Sequence, residues 1–116
     1  MHCIILCERG YSMDAQMKKG LLEVCVLSAI RDEESYGYKI ISELEPYIKI
    51  SESTLYPILR RLEACGAVTT HSVEYNGRLR KYFGITAKGR AKIGEFIDDM
   101  SEFERISRFI TRGETI

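Results

Sequence analysis

Asn76-Gly77 is the tightest constraint in this 116-residue chain. The pair separates two runs of equal length, Val68–Tyr75 and Arg78–Ile85. A two-residue hairpin loop of type I′ needs positive φ at both central residues, which asparagine and glycine reach at little cost. Such a loop also dictates register: Tyr75 stands opposite Arg78, Thr70 opposite Phe83 and Val68 opposite Ile85. Side chains alternate across a strand, so the basal pairs share one face that can cover a core. Toward the tip the apolar pattern fades and Arg78, Arg80 and Lys81 take over. The result is a hairpin with an apolar base and a cationic tip.

Helical patterning surrounds it. Between Ser51 and Gly66, Leu55, Leu59 and Leu62 form an inward stripe with Ile58 beside it. Ser51 and Ser53 are both suitable caps, and Gly66 sits where a left-handed residue ends a helix. Pro57 removes one backbone hydrogen bond at most if Ser53 is the cap, and kinks a longer helix. Upstream, Ser35 is predicted to cap a helix whose apolar positions are Tyr36, Ile40, Ile41 and Leu44, with Pro46 at its end. An earlier helix is predicted from about Asp14, at its N-cap or first turn, to Arg31. Leu21, Leu22, Val24, Cys25, Val26, Leu27, Ala29 and Ile30 make it apolar nearly all round, so it must be buried on more than one side. A partner subunit would supply the second side. Asp32-Glu33-Glu34 is a polar break.

After the hairpin, Thr86 can cap a helix from Ala87 to Thr111. Ile93, Met100 and Ser107 recur at one heptad position and Phe96, Phe103 and Ile110 at another, a seam of two positions in seven. Two packings fit this seam: a long helix against a second copy, or a helix folded back on its own domain. Gly89 and Gly94 lower helix propensity but allow close approach. The expected fold is mainly α with a small β-hairpin, a winged helix-turn-helix over residues 13–86, followed by a C-terminal dimerisation helix over 87–116.

Residues 1–12 show no helical period and precede a second methionine, Met13. Glu8-Arg9-Gly10 can be encoded by a purine-rich string resembling a bacterial ribosome-binding site. Translation is therefore expected to start at Met13, the first twelve residues being a mis-assigned start; the alternative is a short disordered arm.

Formal net charge is zero, yet its distribution is uneven. Lys49–Lys92 holds nine Lys/Arg against three Glu, a net of +6, while residues 1–48 and 93–116 each sum to −3. A basic centre between acidic flanks fits a local phosphate-facing surface. The four cysteines, Cys3, Cys7, Cys25 and Cys65, form no CxxC pair and no zinc spacing. Cys25 and Cys65 read as small core residues. His2, Cys3 and Cys7 are too few for a metal set, and no cofactor is expected. The cysteine usage and the lack of a secretory signal or a span of about 20 apolar residues point to a cytoplasmic protein with no membrane partner. No nucleophile–base pair, phosphate loop or metal cluster marks an enzyme.

In a helix-turn-helix the second helix reads base edges with its N-terminal half. Its candidate contacts here are Ser51, Ser53, Thr54, Tyr56, Arg60 and Arg61. Arg60 and Arg61 point about 100° apart, so one of them faces DNA. Lys39 on the bracing helix could touch backbone, and Asn76, Arg78, Arg80 and Lys81 on the hairpin would meet phosphate or enter the minor groove. Each has a plainer reading: the serines as caps, the Tyr56 ring in the core, the arginines as a solvated face. A dimer would be held through Leu21, Val24, Ile93, Phe96, Met100, Phe103 and Ile110.

The runs KKGLLEVCVLSAI, SYGYKIISEL, SESTLYPILRRLEACGAV and GRLRKYFGITAKGR together resemble the PadR-like transcriptional regulators, over roughly Met17 to Arg90. The resemblance implies a homodimeric repressor of palindromic promoter DNA, dimerised by its C-terminal helix against the partner's N-terminal helix. The single C-terminal helix looks like the smaller subfamily, some of whose members bind flat aromatic drugs between tryptophans. This chain has no Trp, so that chemistry does not carry over. Phe96, Met100 and Phe103 could line a cavity for a small apolar effector, or simply pack. A winged helix that binds a protein in place of DNA is the alternative function.

Overall fold

The computed structural model describes residues 15–112. The Met13 start, the Asp14 cap and the His2–Cys3–Cys7 group lie outside the described residues. The elements run α1 (Ala15–Ala29), β1 (Ser35–Tyr36), α2 (Gly37–Leu44), α3 (Glu52–Ala64), β2 (Val68–Tyr75), β3 (Arg78–Ile85) and α4 (Ala87–Thr111). No helix among the described residues is long and apolar enough to cross a membrane.

The apolar stripes of α1, α2 and α3 meet in one core. Val26, Leu27, Ile30, Ile40, Leu55, Ile58, Leu59 and Leu62 are buried there, with Val68 and Phe83 of the hairpin base closing it from the side. The hairpin register is the one the turn dictates, Val68 opposite Ile85 through Tyr75 opposite Arg78. Asn76 and Gly77 take φ of 52° and 76°, the left-handed pair that a type I′ turn demands.

Two sequence expectations are corrected and two are narrowed. Ser35 is not a helix cap: Ser35 and Tyr36 form a third strand on β3, paired with Phe83 and Tyr82, in the sheet order β1-β3-β2. Tyr36 stands at the N-cap of α2 without a side-chain cap bond. A two-residue strand is too short for alternation to reveal it. Cys65 is exposed at the C-cap of α3, not buried. Ile93, expected at a dimer interface, is only 6% exposed and packs mainly in the chain's own core, at the floor of the groove between α1 and α4. Of the two candidate caps of α3, Ser51 serves, its Oγ accepting from the Thr54 N–H at 3.3 Å. Pro57 therefore lies deeper than a Ser53 cap would put it. It leaves the Ser53 carbonyl without an intrahelical donor, yet α3 continues to Ala64.

The end of α3 is sharply defined. Gly66, at φ 84°, follows the Cys65 cap. The Ala67 N–H donates to the Leu62 carbonyl (2.8 Å) and the Gly66 N–H to the Glu63 carbonyl (3.0 Å), the two bonds of a Schellman stop. Thr86 then joins hairpin to α4: its Oγ1 accepts from the Gly89 N–H (3.1 Å) and donates to the Gly66 carbonyl (2.7 Å).

Both packings foreseen for α4 occur, in different halves. Its first turns, through Gly89 and Ile93, are buried on the domain. Beyond them, Met100, Phe103, Phe109 and Ile110 are exposed, Phe103 by 66% and Phe109 by 73%. The helix is about 37 Å long at 1.5 Å per residue, and the molecule measures 57 × 29 × 27 Å.

Candidate nucleic-acid interface

The basic hairpin stands beside the N-terminal half of α3, leaving a cleft of about 410 Å³ between them. Tyr36, Gly37 and Tyr38 line it from the start of α2, Glu52 and Tyr56 from α3, and Tyr75, Arg78, Leu79, Arg80 and Lys81 from the hairpin. The sheet makes this arrangement. β3 is central: β2 pairs with it along its whole length, β1 pairs with Phe83 and Tyr82 just below its basic tip, and β1 leads directly into α2.

On α3 the hydroxyls of Ser51, Ser53 and Thr54 cluster at the exposed helix start. Ser51 Oγ lies 2.9 Å from Ser53 Oγ and 3.3 Å from Thr54 Oγ1. These groups and the free N–H groups of the first turn present a positive helix end, which suits a phosphate oxygen. Glu52 sits among them and stabilises that end of the dipole. Tyr56 is half-buried, its ring 6.5 Å from that of Phe83 and its hydroxyl pressed against Gly37. A methyl added at Gly37 would overlap that hydroxyl. The ring of Tyr56 thus packs in the domain while its outer end lines the cleft.

The two arginines of α3 separate. Arg61 turns to α1, its Nε 3.3 Å from Glu23 Oε2. Arg60 is exposed, one turn beyond Tyr56, and has no ion-pair partner among the described residues. Lys39 points away from the cleft, into a pocket lined by Asp32, Glu33 and Glu43. Its Nζ lies 3.3 Å from Glu33 Oε2, and that hydrogen bond holds the ammonium above its ordinary pKa. The expected backbone contact from Lys39 therefore has no support in the geometry.

On the hairpin, Asn76, Arg78 and Lys81 are exposed, and Lys81 Nζ lies 5.8 Å from the Phe83 ring centroid. Arg80 is half-buried between two rings, its guanidinium carbon 4.1 Å from the Tyr36 centroid and 4.0 Å from that of Tyr75. A hydrogen bond with Tyr82 is the chief cause that raises its pKa further. None of Arg78, Arg80 and Lys81 has a carboxylate within ion-pair distance among the described residues, whereas Arg31, Lys39, Lys49, Arg61 and Arg108 do.

Sequence reasoning about charge missed Tyr36, Tyr38, Glu52, Tyr75 and Leu79 as cleft residues. The signal for the three tyrosines was their recurrence beside the hairpin turn and the bracing helix, which a search for cations passes over; Glu52 and Leu79 carried no such signal.

A second concavity runs between α1 and α4. It measures about 590 Å³ and is lined mostly by apolar side chains, including Leu21, Val24, Cys25, Phe96, Ile97 and Met100. Burial pushes the Cys25 thiol above its ordinary pKa and keeps it protonated. Met17, Phe96, Met100 and Phe103 border an adjoining apolar patch. Of the seven residues expected at a dimer interface, Leu21, Val24, Ile93, Phe96, Met100 and Phe103 line these surfaces, Ile93 from its place in the core, and Ile110 is exposed further along α4.

Three helices, a hairpin against the third and a short strand tying that hairpin to the second define a winged helix-turn-helix. Within that class, the chain belongs to the transcriptional regulator PadR-like family, whose model matches residues 26–95. It is a family of transcriptional regulators and not of enzymes. The chain is similar to the transcriptional regulator Rv3488 of Mycobacterium tuberculosis, at 29% identity over 101 residues, which cover 86% of this chain and 92% of that one. It is also similar to a PadR-like transcription factor from Bacteroides fragilis. That crystal structure matches with a TM-score of 0.75 at 35% identity, over 83% of this chain and 95% of the other. Bacillus subtilis PadR, solved in complex with operator DNA, shares the fold. Its TM-score is 0.62 at 22% identity, over 66% of this chain and 46% of that one.

Proposed function

We propose that this regulator is a cytoplasmic homodimeric repressor that binds a palindromic promoter site and is released by a small apolar effector. The observation that carries the DNA reading is the clustering of unpaired cations around the cleft. Those around the cleft, Arg60, Arg78, Arg80 and Lys81, have no carboxylate partner among the described residues, while Lys39 and Arg61 beside them do. Unpaired cations around a helix start are the footprint of a phosphate surface. The start of α3 enters the major groove, with Ser51, Ser53 and Thr54 reaching backbone or base edges and Arg60 a guanine edge or phosphate. The wing follows the flanking strand. The PadR of Bacillus subtilis, which has the same fold, holds operator DNA.

The exposed apolar half of α4 supports the dimer, because a stripe containing Met100, Phe103 and Ile110 is poorly tolerated in water. The α1–α4 groove, at about 590 Å³, is within the size range of ligand pockets and supports the effector.

The test is footprinting of the DNA upstream of the protein's own gene, together with salt-titrated binding. Two protected half-sites about one helical turn apart are expected. Arg60→Ala should weaken binding and lower the salt slope by about one. A folded dimer that protects no site at moderate salt would instead identify a protein-interaction module.

A further inference from the structure

We propose that Tyr36 and Tyr75 are positioning residues for DNA binding. They grip Arg80 between their rings and fix its guanidinium edge at the mouth of the cleft, a role that rests on the DNA reading above.

The grip follows from the register. Tyr36 pairs with Tyr82 on one side of β3, and Tyr75 pairs with Arg78 on the other. Arg80 lies between Arg78 and Tyr82 on the same face of β3. It is therefore the diagonal neighbour of both tyrosines, a separation that aromatic side chains span. Both ring centroids lie within 4.1 Å of one guanidinium carbon. The two tyrosines come from the strands on either side of β3, so the guanidinium is flanked by a ring from each neighbouring strand. Ring contact leaves the in-plane N–H donors of Arg80 as the fork that suits a phosphate or a guanine.

Two consequences separate Arg80 from its neighbours. Its side-chain freedom is lost before DNA arrives, so docking costs less than for a mobile arginine. Arg78 has no ring or carboxylate contact among the described residues and serves as a simple mobile charge. The grip also ties the wing to the helix-turn-helix, because Tyr36 is the residue from which α2 starts. Tyr36 is itself held by Tyr82, whose ring lies 5.5 Å away and edge-on, and Tyr82 stacks on His71 at 5.9 Å. The wing angle relative to α3 is set by this aromatic row.

Tyr75 gives the cleaner test, because it is 52% exposed and contributes little to the core. The probe is a fluorescent duplex of the DNA upstream of the protein's own gene, compared with a duplex of scrambled sequence. Tyr75→Ala should weaken binding about three- to tenfold, the range of an exposed to partly desolvated cation–π contact. Tyr75→Phe and Tyr36→Phe should stay within about twofold, because the ring is what grips. Arg80→Ala should weaken the wild type but add little to a Tyr36→Ala/Tyr75→Ala protein, a non-additivity that mere loss of stability would not produce. In the free protein, ring currents should shift the Arg80 δ protons upfield, and Tyr75→Ala should reduce that shift, leaving the part due to Tyr36. Wild-type protein that binds neither duplex would overturn the DNA reading and this role with it. Wild-type binding with an unchanged Tyr75→Ala variant, or additive effects in the cycle, would overturn the grip alone.

Discussion

Two glycines in α4 should answer the same substitution with opposite signs. Gly89 is buried at the third position of the helix, where a methyl would meet the Ala67 carbonyl oxygen, Ile85 Cγ1 at 2.7 Å and Leu27 Cδ2 at 3.3 Å. The oxygen cannot move aside, because it accepts the Thr86 N–H at 3.1 Å and lies just past the Schellman stop. Overpacking of this kind costs about 1–3 kcal/mol, and a pinned backbone obstacle argues for the upper end. The intrinsic gain of alanine over glycine in a helix is about 1 kcal/mol, leaving Gly89→Ala destabilised by about 2 kcal/mol. Around Gly94 the same methyl meets nothing within 4 Å, so Gly94→Ala should keep the gain of up to about 1 kcal/mol. Urea unfolding followed by circular dichroism, at one fixed protein concentration, measures both. A Gly89→Ala protein within about 0.5 kcal/mol of wild type, below the ordinary scatter of surface changes, would refute the packing argument. A Gly94→Ala protein that loses stability only on dilution would place Gly94 at a helix–helix contact of the proposed dimer.

Ser51→Ala should cost about 1 kcal/mol through loss of the α3 cap, while Ser53→Ala stays within about 0.5 kcal/mol; urea midpoints distinguish them. Glu52→Gln removes the one carboxylate lining the cleft and should tighten binding to any duplex about two- to threefold, the size of one screened charge repulsion. A loss of affinity confined to one operator sequence would show instead that Glu52 accepts from a base, as carboxylates do from cytosine N4. Phe103→Glu, on the exposed half of α4, should convert the proposed dimer to a monomer in light scattering with helix content retained. A persisting dimer would move the interface elsewhere.

Much of the fold was legible because it is encoded in short, chemically strict signals. Asn76-Gly77 gave the register of sixteen residues, since only a two-residue turn suits that pair. Gly66 and Thr86 marked a helix end and a helix start by backbone requirements that few residues meet. What escaped was decided by tertiary partners. Ser35-Tyr36 carries no period, and becomes a strand only because β3 offers it an edge. Ile93 fits the heptad seam as well as Met100 does, and only the seating of the first turns of α4 on the domain puts one in the core and the other at the surface. Arg60 and Arg61 are indistinguishable by type. Glu23, far away in sequence, takes one and leaves the other.

The same logic explains how a chain of zero net charge can present a phosphate surface. Several cations in the flanking elements sit beside carboxylates: Lys39 by Glu33, Arg108 by Glu104, Arg31 by Asp32. Around the cleft, aromatic rings take the place that carboxylates hold elsewhere. Arg80 is bounded by Tyr36 and Tyr75, and Lys81 lies over Phe83. A ring face attracts a cation through its quadrupole without cancelling its charge, so these side chains are ordered yet keep their full field. A carboxylate in the same place would order them equally well and remove that field. The tyrosine-rich cleft is therefore as much a part of the electrostatics as the arginines. It lets a basic centre of +6 act at full strength in a molecule whose flanks sum to −6.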